Sequence, residues 1–231
     1  MEGILNIYKP PGMSSFRCLS LVKKKLGLDK KTKIGHLGTL DPLASGVLII
    51  LIGRNYTRRA SEFHSRQKTY RAVVTWGVET TTLDNAGEIV ATSDVIPTRE
   101  QIKTIIPSMV GDIEIEIPKY SAVHINGERA YDLARKGIDF TPPKKTVKIT
   151  RFEMLDKPIP ERAREGTFFE IECETGTYIR SLAKVLAYKL GTVATASTII
   201  RTKVGDFDIK NSKTIEEVTI NDLITELDLI N

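Results

Sequence analysis

An α+β fold, with a mixed but largely antiparallel central sheet flanked by helices, is what the order of apolar patterns along this chain predicts. Three observations carry that expectation. Strand-like and helix-like segments follow one another without the regular alternation that builds a parallel sheet. The longest aliphatic run, Val47 to Ile52 (VLIILI), reads as a buried strand and falls far short of a membrane span. The chain has 231 residues, 41% of them hydrophobic, which suffices for a proper core.

In order, Gly3 to Ile7 reads as a short strand and Lys9-Pro10-Pro11-Gly12 as a turn. Ser14 or Ser15 then caps a helix with Leu19, Val22 and Leu26 on one face, ended by Gly27. Residues 35–46 (GHLGTLDPLASG) form a loop built to hold a shape. Gly35, Gly38 and Gly46 allow backbone angles closed to other residues, and Pro42 fixes its own φ and pushes Asp41 away from helical geometry. The strand from Val47 roots that loop in the core. Thr69 to Gly77 alternates as a strand, and Asn85-Ala86-Gly87 turns into a shorter one at Ile89 to Ala91. A helix from about Arg99 to Met109 and a strand at Asp112 to Ile117 follow. Residues 118–145, with Pro, Gly and Lys and a helical pattern at Glu128 to Arg135, suggest an exposed excursion. Strands near Val147 to Leu155 and Phe168 to Glu174 lead to a helix whose core stripe is Ile179, Leu182, Ala183, Leu186 and Leu190. The acidic tail from Thr214 reads as a helix packed on the body. No internal repeat, low-complexity tract or clear linker interrupts the chain, so residues 1–231 are expected to form a single domain.

Charge is divided unevenly. The chain carries +5 overall, but residues 1–75 hold fourteen Lys or Arg against four acids, a balance of +10, which leaves −5 on the other 156 residues. The basic residues flank the Asp41 loop: Lys23, Lys24, Lys25, Lys30, Lys31 and Lys33 before it, Arg54, Arg58, Arg59, Arg66, Lys68 and Arg71 after it. Two flanking clusters in one segment are the footprint that phosphate neutralisation demands, whereas a single lysine run is only a solvated helix face. Cys18 and Cys173 stand apart, as buried thiols of a reducing compartment would, and MEGILNIYKP lacks the regions of a signal peptide; a cytoplasmic protein is the expectation. His36, His64 and His124 are scattered, and no HExxH, Gly-rich phosphate loop, Rossmann fingerprint or Gly-x-Ser-x-Gly elbow occurs. Cofactor-free chemistry on a carboxylate, without a dedicated metal, is what remains. Asp41 is the carboxylate in question; a purely local alternative is an Asx-turn in which it caps backbone N–H groups.

Five ordered segments carry a resemblance. GHLGTLDPLASGVL resembles the catalytic motif of the TruB family of tRNA pseudouridine synthases. Tyr8-Lys9-Pro10-Pro11-Gly12-Met13-Ser14-Ser15 resembles that family's N-terminal segment, Lys68-Thr69-Tyr70 its Lys-x-Tyr strand, Pro118-Lys119-Tyr120-Ser121-Ala122 its Tyr-Ser-Ala motif, and Gly176-Thr177-Tyr178-Ile179-Arg180 its Gly-Thr-Tyr-Ile-Arg motif. The matches run in the family's order from residue 4 to about 207. His124, Thr81 and Ile200 depart from the family's pattern at positions tied to RNA contact.

The resemblance implies the pseudouridine synthase fold and isomerisation of uridine to pseudouridine at position 55, in the T-loop of tRNA. It implies the tRNA T-arm as partner, with no cofactor and no obligatory protein partner. Asp41 would be the nucleophile, adding to C6 of the base or engaging C1′; the residues do not choose between these routes. Arg180 would keep Asp41 ionised through a guanidinium fork that Lys cannot match. Tyr70 would lie on the uracil and help remove the C5 proton, and Tyr178 would make a similar wall. Ile199 would fill the apolar position under the base. His36 would insert where the everted base had been. Lys9, Lys24, Lys31 and Arg59 would contact RNA, as would Arg129 and Arg135 in the excursion around 118–145. The chain ends 24 residues after Phe207, so a full C-terminal PUA domain is not expected. Two other readings compete: a noncatalytic tRNA-binding or tRNA-folding protein on the same scaffold, and a carboxylate hydrolase. The first has no use for an Asp amid phosphates, and the second lacks a clear second acid near Asp41.

Overall fold

The computed structural model describes residues 2–64, 67–125, 127–156 and 166–225; Arg66 of the basic flank and residues 226–231 of the acidic tail lie outside these. In chain order the elements are β1 (Gly3–Lys9), α1 (Ser15–Lys25), β2 (Ile34–Leu37), β3 (Ser45–Ile52), α2 (Arg54–Arg58), α3 (Ala60–His64), β4 (Lys68–Trp76), β5 (Val78–Thr80), β6 (Ile89–Thr92), α4 (Arg99–Ile105), β7 (Gly111–Glu116), β8 (His124–Ile125), β9 (Glu128–Arg129), α5 (Ala130–Arg135), β10 (Lys144–Leu155), β11 (Thr167–Cys173), α6 (Ile179–Lys189), β12 (Ala194–Val204) and β13 (Phe207–Asp208). No described helix is long and apolar enough to cross a membrane. The chain divides into two compact units, Met1–Tyr70 with Ile200–Asn231, and Arg71–Ile199.

In the first unit β3 is buried along its whole length, as a run of branched aliphatic residues requires when both faces are covered. β1 pairs with it antiparallel from Gly3 opposite Ile52 to Lys9 opposite Gly46. The other edge of β3 is shared. β2 pairs antiparallel with its far end, Ile34 opposite Ile52 to Leu37 opposite Ile49, and β12 pairs parallel with its near end, Ile200 opposite Ser45 and Arg201 opposite Gly46. Val47, Ile49 and Leu51 pack with Ile4, Leu37, Val204 and Phe207 as the core of this unit. The helix expected after the Pro-Pro-Gly turn is α1: the Ser14 side chain accepts from the Arg17 N–H, and Cys18, Leu19 and Val22 are buried. Lys23, Lys24 and Lys25 fill its last turn, where the helix dipole favours positive charge.

The tail corrects an expectation. From Thr214 to residue 225 there is no α-helix; there is a turn, a 3-10 turn at Ile220–Asp222, and a bridge pairing Ile224 antiparallel with Ile4. Thr214 and Thr219 each turn the chain once, bonding Glu217 and Asp222 respectively, and the extended backbone needed to bond Ile4 ends any helix.

In the second unit the sheet order is β12, β4, β11, β10, β7. β10 pairs antiparallel with β7 over Lys144 to Ile149 and with β11 from Ile149 to Leu155, with an irregularity between Ile149 and Arg151. The sheet is therefore mixed and largely antiparallel, as expected. The helix anticipated from Arg99 to Met109 starts at a capping box of Thr98 and Gln101 and runs as α4 to Ile105. Pro107 has no N–H to continue the α pattern, and Ile106–Met109 tightens into a 3-10 turn. α6 buries Ile179, Leu182, Ala183 and Leu186 of the expected stripe, together with Arg180, while Leu190 falls at the C-cap and is half-buried. The excursion holds the small ribbon of β8 and β9, followed by α5, which begins at Ala130 rather than at Glu128.

Candidate functional site

The Asp41 loop emerges where one edge of β3 passes from β2 to β12, and its backbone is tied from three directions. The Ser15 hydroxyl, at the start of α1, donates to the Leu40 carbonyl at 2.9 Å and is the acceptor for the Leu40 N–H at 2.8 Å. The Gly12 N–H donates to the Pro42 carbonyl at 2.7 Å. The Arg201 Nη2 donates to the Gly38 carbonyl at 2.8 Å. Inside the loop the Ala44 N–H donates to the Asp41 backbone carbonyl at 3.0 Å. Bonds at residues 38, 40 and 42 bracket Asp41, which is itself half-buried.

Two cations are buried beside the loop. Lys9 and Arg201 are both opposite Gly46 on neighbouring strands, and both are 0% exposed. Residues in register across a sheet share a face, so the two charges flank a glycine that contributes no side chain between them. The Lys9 ammonium donates to the carbonyls of Pro10 at 2.9 Å and Met13 at 2.6 Å. Burial lowers its pKa to about 8, the attraction of Cys18 and Asp41 opposing the shift and the repulsion of Arg201 adding to it. Burial raises the Cys18 thiol to about 11. His36, on β2 opposite Ile50, is half-buried; burial first and the Arg201 charge second hold its imidazole below the usual value, and its Nδ1 is buried without a hydrogen-bond partner. Tyr70, on β4, is 7% exposed, and the carbonyl of the preceding Thr69 accepts from Thr202 of β12 at 3.2 Å.

In the second unit Arg180 is 3% exposed. Its Nη1 donates to the Thr82 carbonyl at 2.7 Å and its Nη2 to the Tyr120 carbonyl at 3.2 Å, with Asp84 Oδ2 at 3.8 Å. Asp84 is fixed in turn: its Oδ1 accepts from the Thr82 hydroxyl at 2.6 Å and from the Ala86 N–H at 2.9 Å. One guanidinium thus joins the Thr82–Asp84 turn to the Tyr120 segment. Tyr178 is half-buried and immediately precedes α6, and Ile199 is a 4% exposed residue of β12.

Of the residues expected to meet RNA, Lys24, Lys31, Arg59, Arg129 and Arg135 are exposed. Arg59 pairs with Glu62 at 2.7 Å. Arg129 and Arg135 both lie over the Tyr131 ring, at 5.9 and 5.5 Å from its centroid, so this tyrosine joins two arginines that the sequence left separate. Lys9 differs from a surface phosphate contact: it is enclosed, and its ammonium serves the turn after β1. Sequence reasoning missed Gly12, Ser15 and Arg201 as holders of the Asp41 loop; the turn and helix cap containing the first two were recognised, but the strand Ala194–Val204 that carries Arg201 was not. Among the described residues no group of three or more His, Cys, Asp or Glu gathers as a metal site would require.

Comparison with known proteins bears on this geometry. The model for the TruB family pseudouridylate synthase N-terminal domain matches residues 23–179, and this chain belongs to that family. Curated relatives share the likeness over nearly the whole chain. A "tRNA pseudouridine synthase B" of Caldicellulosiruptor saccharolyticus is 38% identical over 230 residues, covering 100% of this chain and 77% of the relative. One of Geobacillus thermodenitrificans is 41% identical over 221 residues, covering 94% and 72% respectively. Among solved structures, a Cbf5–Nop10–Gar1 complex aligns with a TM-score of 0.65 at 28% identity, covering 92% of this chain; the chain spans about half of that protein, 52%.

Proposed function

We propose that this protein isomerises uridine to pseudouridine in tRNA, at position 55 of the T-loop, with Asp41 as its nucleophile. The family and its curated relatives, named for tRNA pseudouridine synthesis, support the reaction. The observation that supports the residue assignment is the Asp41 loop itself, bonded at residues on both sides of the carboxylate, with buried Arg201 bonded to its Gly38 carbonyl. A nucleophile needs a defined position, and hydrogen bonds fixed at residues on both sides of it supply one.

In this reading the C1′–N1 bond of the target nucleotide breaks, the uracil turns, and a C1′–C5 bond forms as the C5 proton leaves. Asp41 serves by adding to C6 or by bonding C1′ after cleavage. The base must first leave the loop stack, at a cost of a few kcal/mol, and His36 takes its place. Tyr70 and Tyr178 wall the uracil, Ile199 supports it from below, and Arg180 supplies fixed positive charge to the reaction. Lys24, Lys31, Arg59, Arg129 and Arg135 meet the phosphates of the T-arm, and the cytoplasm, where tRNA resides, is the compartment. A protein that only bound tRNA would gain nothing from a carboxylate positioned with such care among phosphates.

The test uses an unmodified tRNA transcript labelled with tritium at C5 of uridine. Tritium release is expected from the transcript with U at position 55 and not from one with C there. Equal release from both, or none from either, would overturn the assignment.

A further inference from the structure

We infer that Arg201 is a positioning residue for the reaction: its guanidinium staples shut the base of the Asp41 loop and so sets where the carboxylate stands. This inference rests on Asp41 being the nucleophile and adds a residue to which the motifs assigned no role.

Arg201 is 0% exposed, an extreme for a side chain that always carries charge. Its Nε donates to the Val47 carbonyl at 2.8 Å and its Nη2 to the Gly38 carbonyl at 2.8 Å. Those two carbonyls belong to opposite ends of one segment. Gly38 lies just past the last residue of β2, Val47 lies in β3, and Asp41 lies between them. One planar group therefore closes residues 38–47 into a ring, using two nitrogens whose relative direction is fixed by the guanidinium plane. An ammonium can bond two carbonyls, as Lys9 does, but its single nitrogen on a flexible stem does not fix their relative direction.

Two of the loop's glycines answer to residue 201, Gly38 to its side chain and Gly46 to its backbone. Gly38 has φ +63°, and a Cβ built on it would lie 3.2 Å from Arg201 Nη1. Gly46 has φ +105°, and a Cβ there would fall 2.2 Å from the Arg201 carbonyl oxygen and 2.8 Å from its nitrogen. The loop is thus glycine-rich where Arg201 passes, and the close approach, together with the positive φ, accounts for the residue type. The charge also reaches His36, where it adds to burial in lowering the imidazole pKa. Breaking a buried charge-assisted bond leaves its acceptor unpaired, so the loop is expected to shift rather than merely loosen.

The experiment measures single-turnover tritium release and tRNA affinity for wild type, R201K, G38A and the double variant. R201K keeps a positive charge but loses the planar fork that fixes the two donors relative to each other; G38A leaves Arg201 intact, crowds its Nη1 and strains the backbone at φ +63°. Each single variant is expected to lose at least ~10-fold in rate with Kd within ~2-fold, and the double variant is expected to be no worse than the poorer single, because both act on one staple. A wild-type rate in either single variant, a parallel loss of rate and affinity, or multiplicative losses in the double variant would overturn the inference. Should R201K fail to fold by circular dichroism, R201Q takes its place, since G38A also strains the backbone at φ +63°: a reduced rate at unchanged affinity in R201Q supports the staple, and a wild-type rate removes it. D41N is run alongside. Full turnover in D41N would defeat the nucleophile assignment whatever Arg201 does, whereas a silent D41N with an unaffected R201K would defeat the staple alone.

Discussion

Lys9 is the residue whose placement carries the most physical consequence. Its ammonium is buried, and its pKa lies at about 8 against an ordinary value of 10.5. Between those values the folded protein has given up a proton that the unfolded chain still holds, so the Lys9 contribution to stability increases as pH rises through that window; below about pH 8 the buried charge costs its full amount. Cys18 acts in the opposite sense. Its thiol is raised to about 11 from 9.0, so its contribution declines above pH 9.0, and the useful window ends there. We expect the melting temperature of wild type relative to Lys9→Met to improve between about pH 7 and 9, followed by thermal melts in matched buffers. A difference independent of pH would mean that Lys9 is not a buried ammonium. Residue type alone points lysines outward, which is why Lys9 reads as a phosphate contact. The signal that could have placed it is positional: in a strand, Leu5, Ile7 and Lys9 share a face, and the first two are fully buried. Arg201 shares that kind of signal with Ile199 on β12.

At the scale of elements, the N-terminal Lys-Pro-Pro-Gly-Met-Ser-Ser segment acquires its meaning from what it touches. Ser14 caps α1, and Ser15, one residue on, gives its hydroxyl to both polar groups of Leu40. Ser15→Ala should leave the helix cap intact but strand a buried N–H and carbonyl, at a cost of about 1–3 kcal/mol in urea unfolding, and it should slow tritium release because residue 40 adjoins Asp41. Unchanged stability and rate would show that the clamp is dispensable. The local periodicities of α1, β3, β4 and α6 were legible, because each has one apolar pattern and a clear terminus. The tail was not. Its acids and apolar residues match a helical spacing, but Thr214, Thr219 and the pairing of Ile224 with Ile4 set its path, and the last is a contact between residues 220 positions apart in the chain. The Ser15 bond to Leu40 likewise joins distant segments, so the motifs showed that these residues matter without showing to whom.

For the molecule as a whole, charge and family agree. The +10 on residues 1–75 is what a polyanionic partner requires, and Lys24 and Lys31 are exposed to meet one. The division into two compact units fell between Tyr70 and Arg71 and between Ile199 and Ile200, inside β4 and β12, where no shift of composition or linker could announce it. The mixed, largely antiparallel sheet was readable from element order, but its strand order was not, since the parallel pairing of β12 with β3 brings Arg201 to Gly46 across 155 residues of chain. The central claim remains chemical: one carboxylate does the work. Its most direct measurement is single-turnover tritium release by Asp41→Asn on C5-labelled tRNA transcript, with tRNA binding measured on the same preparation. The account predicts retained binding and no release; undiminished release would contradict it.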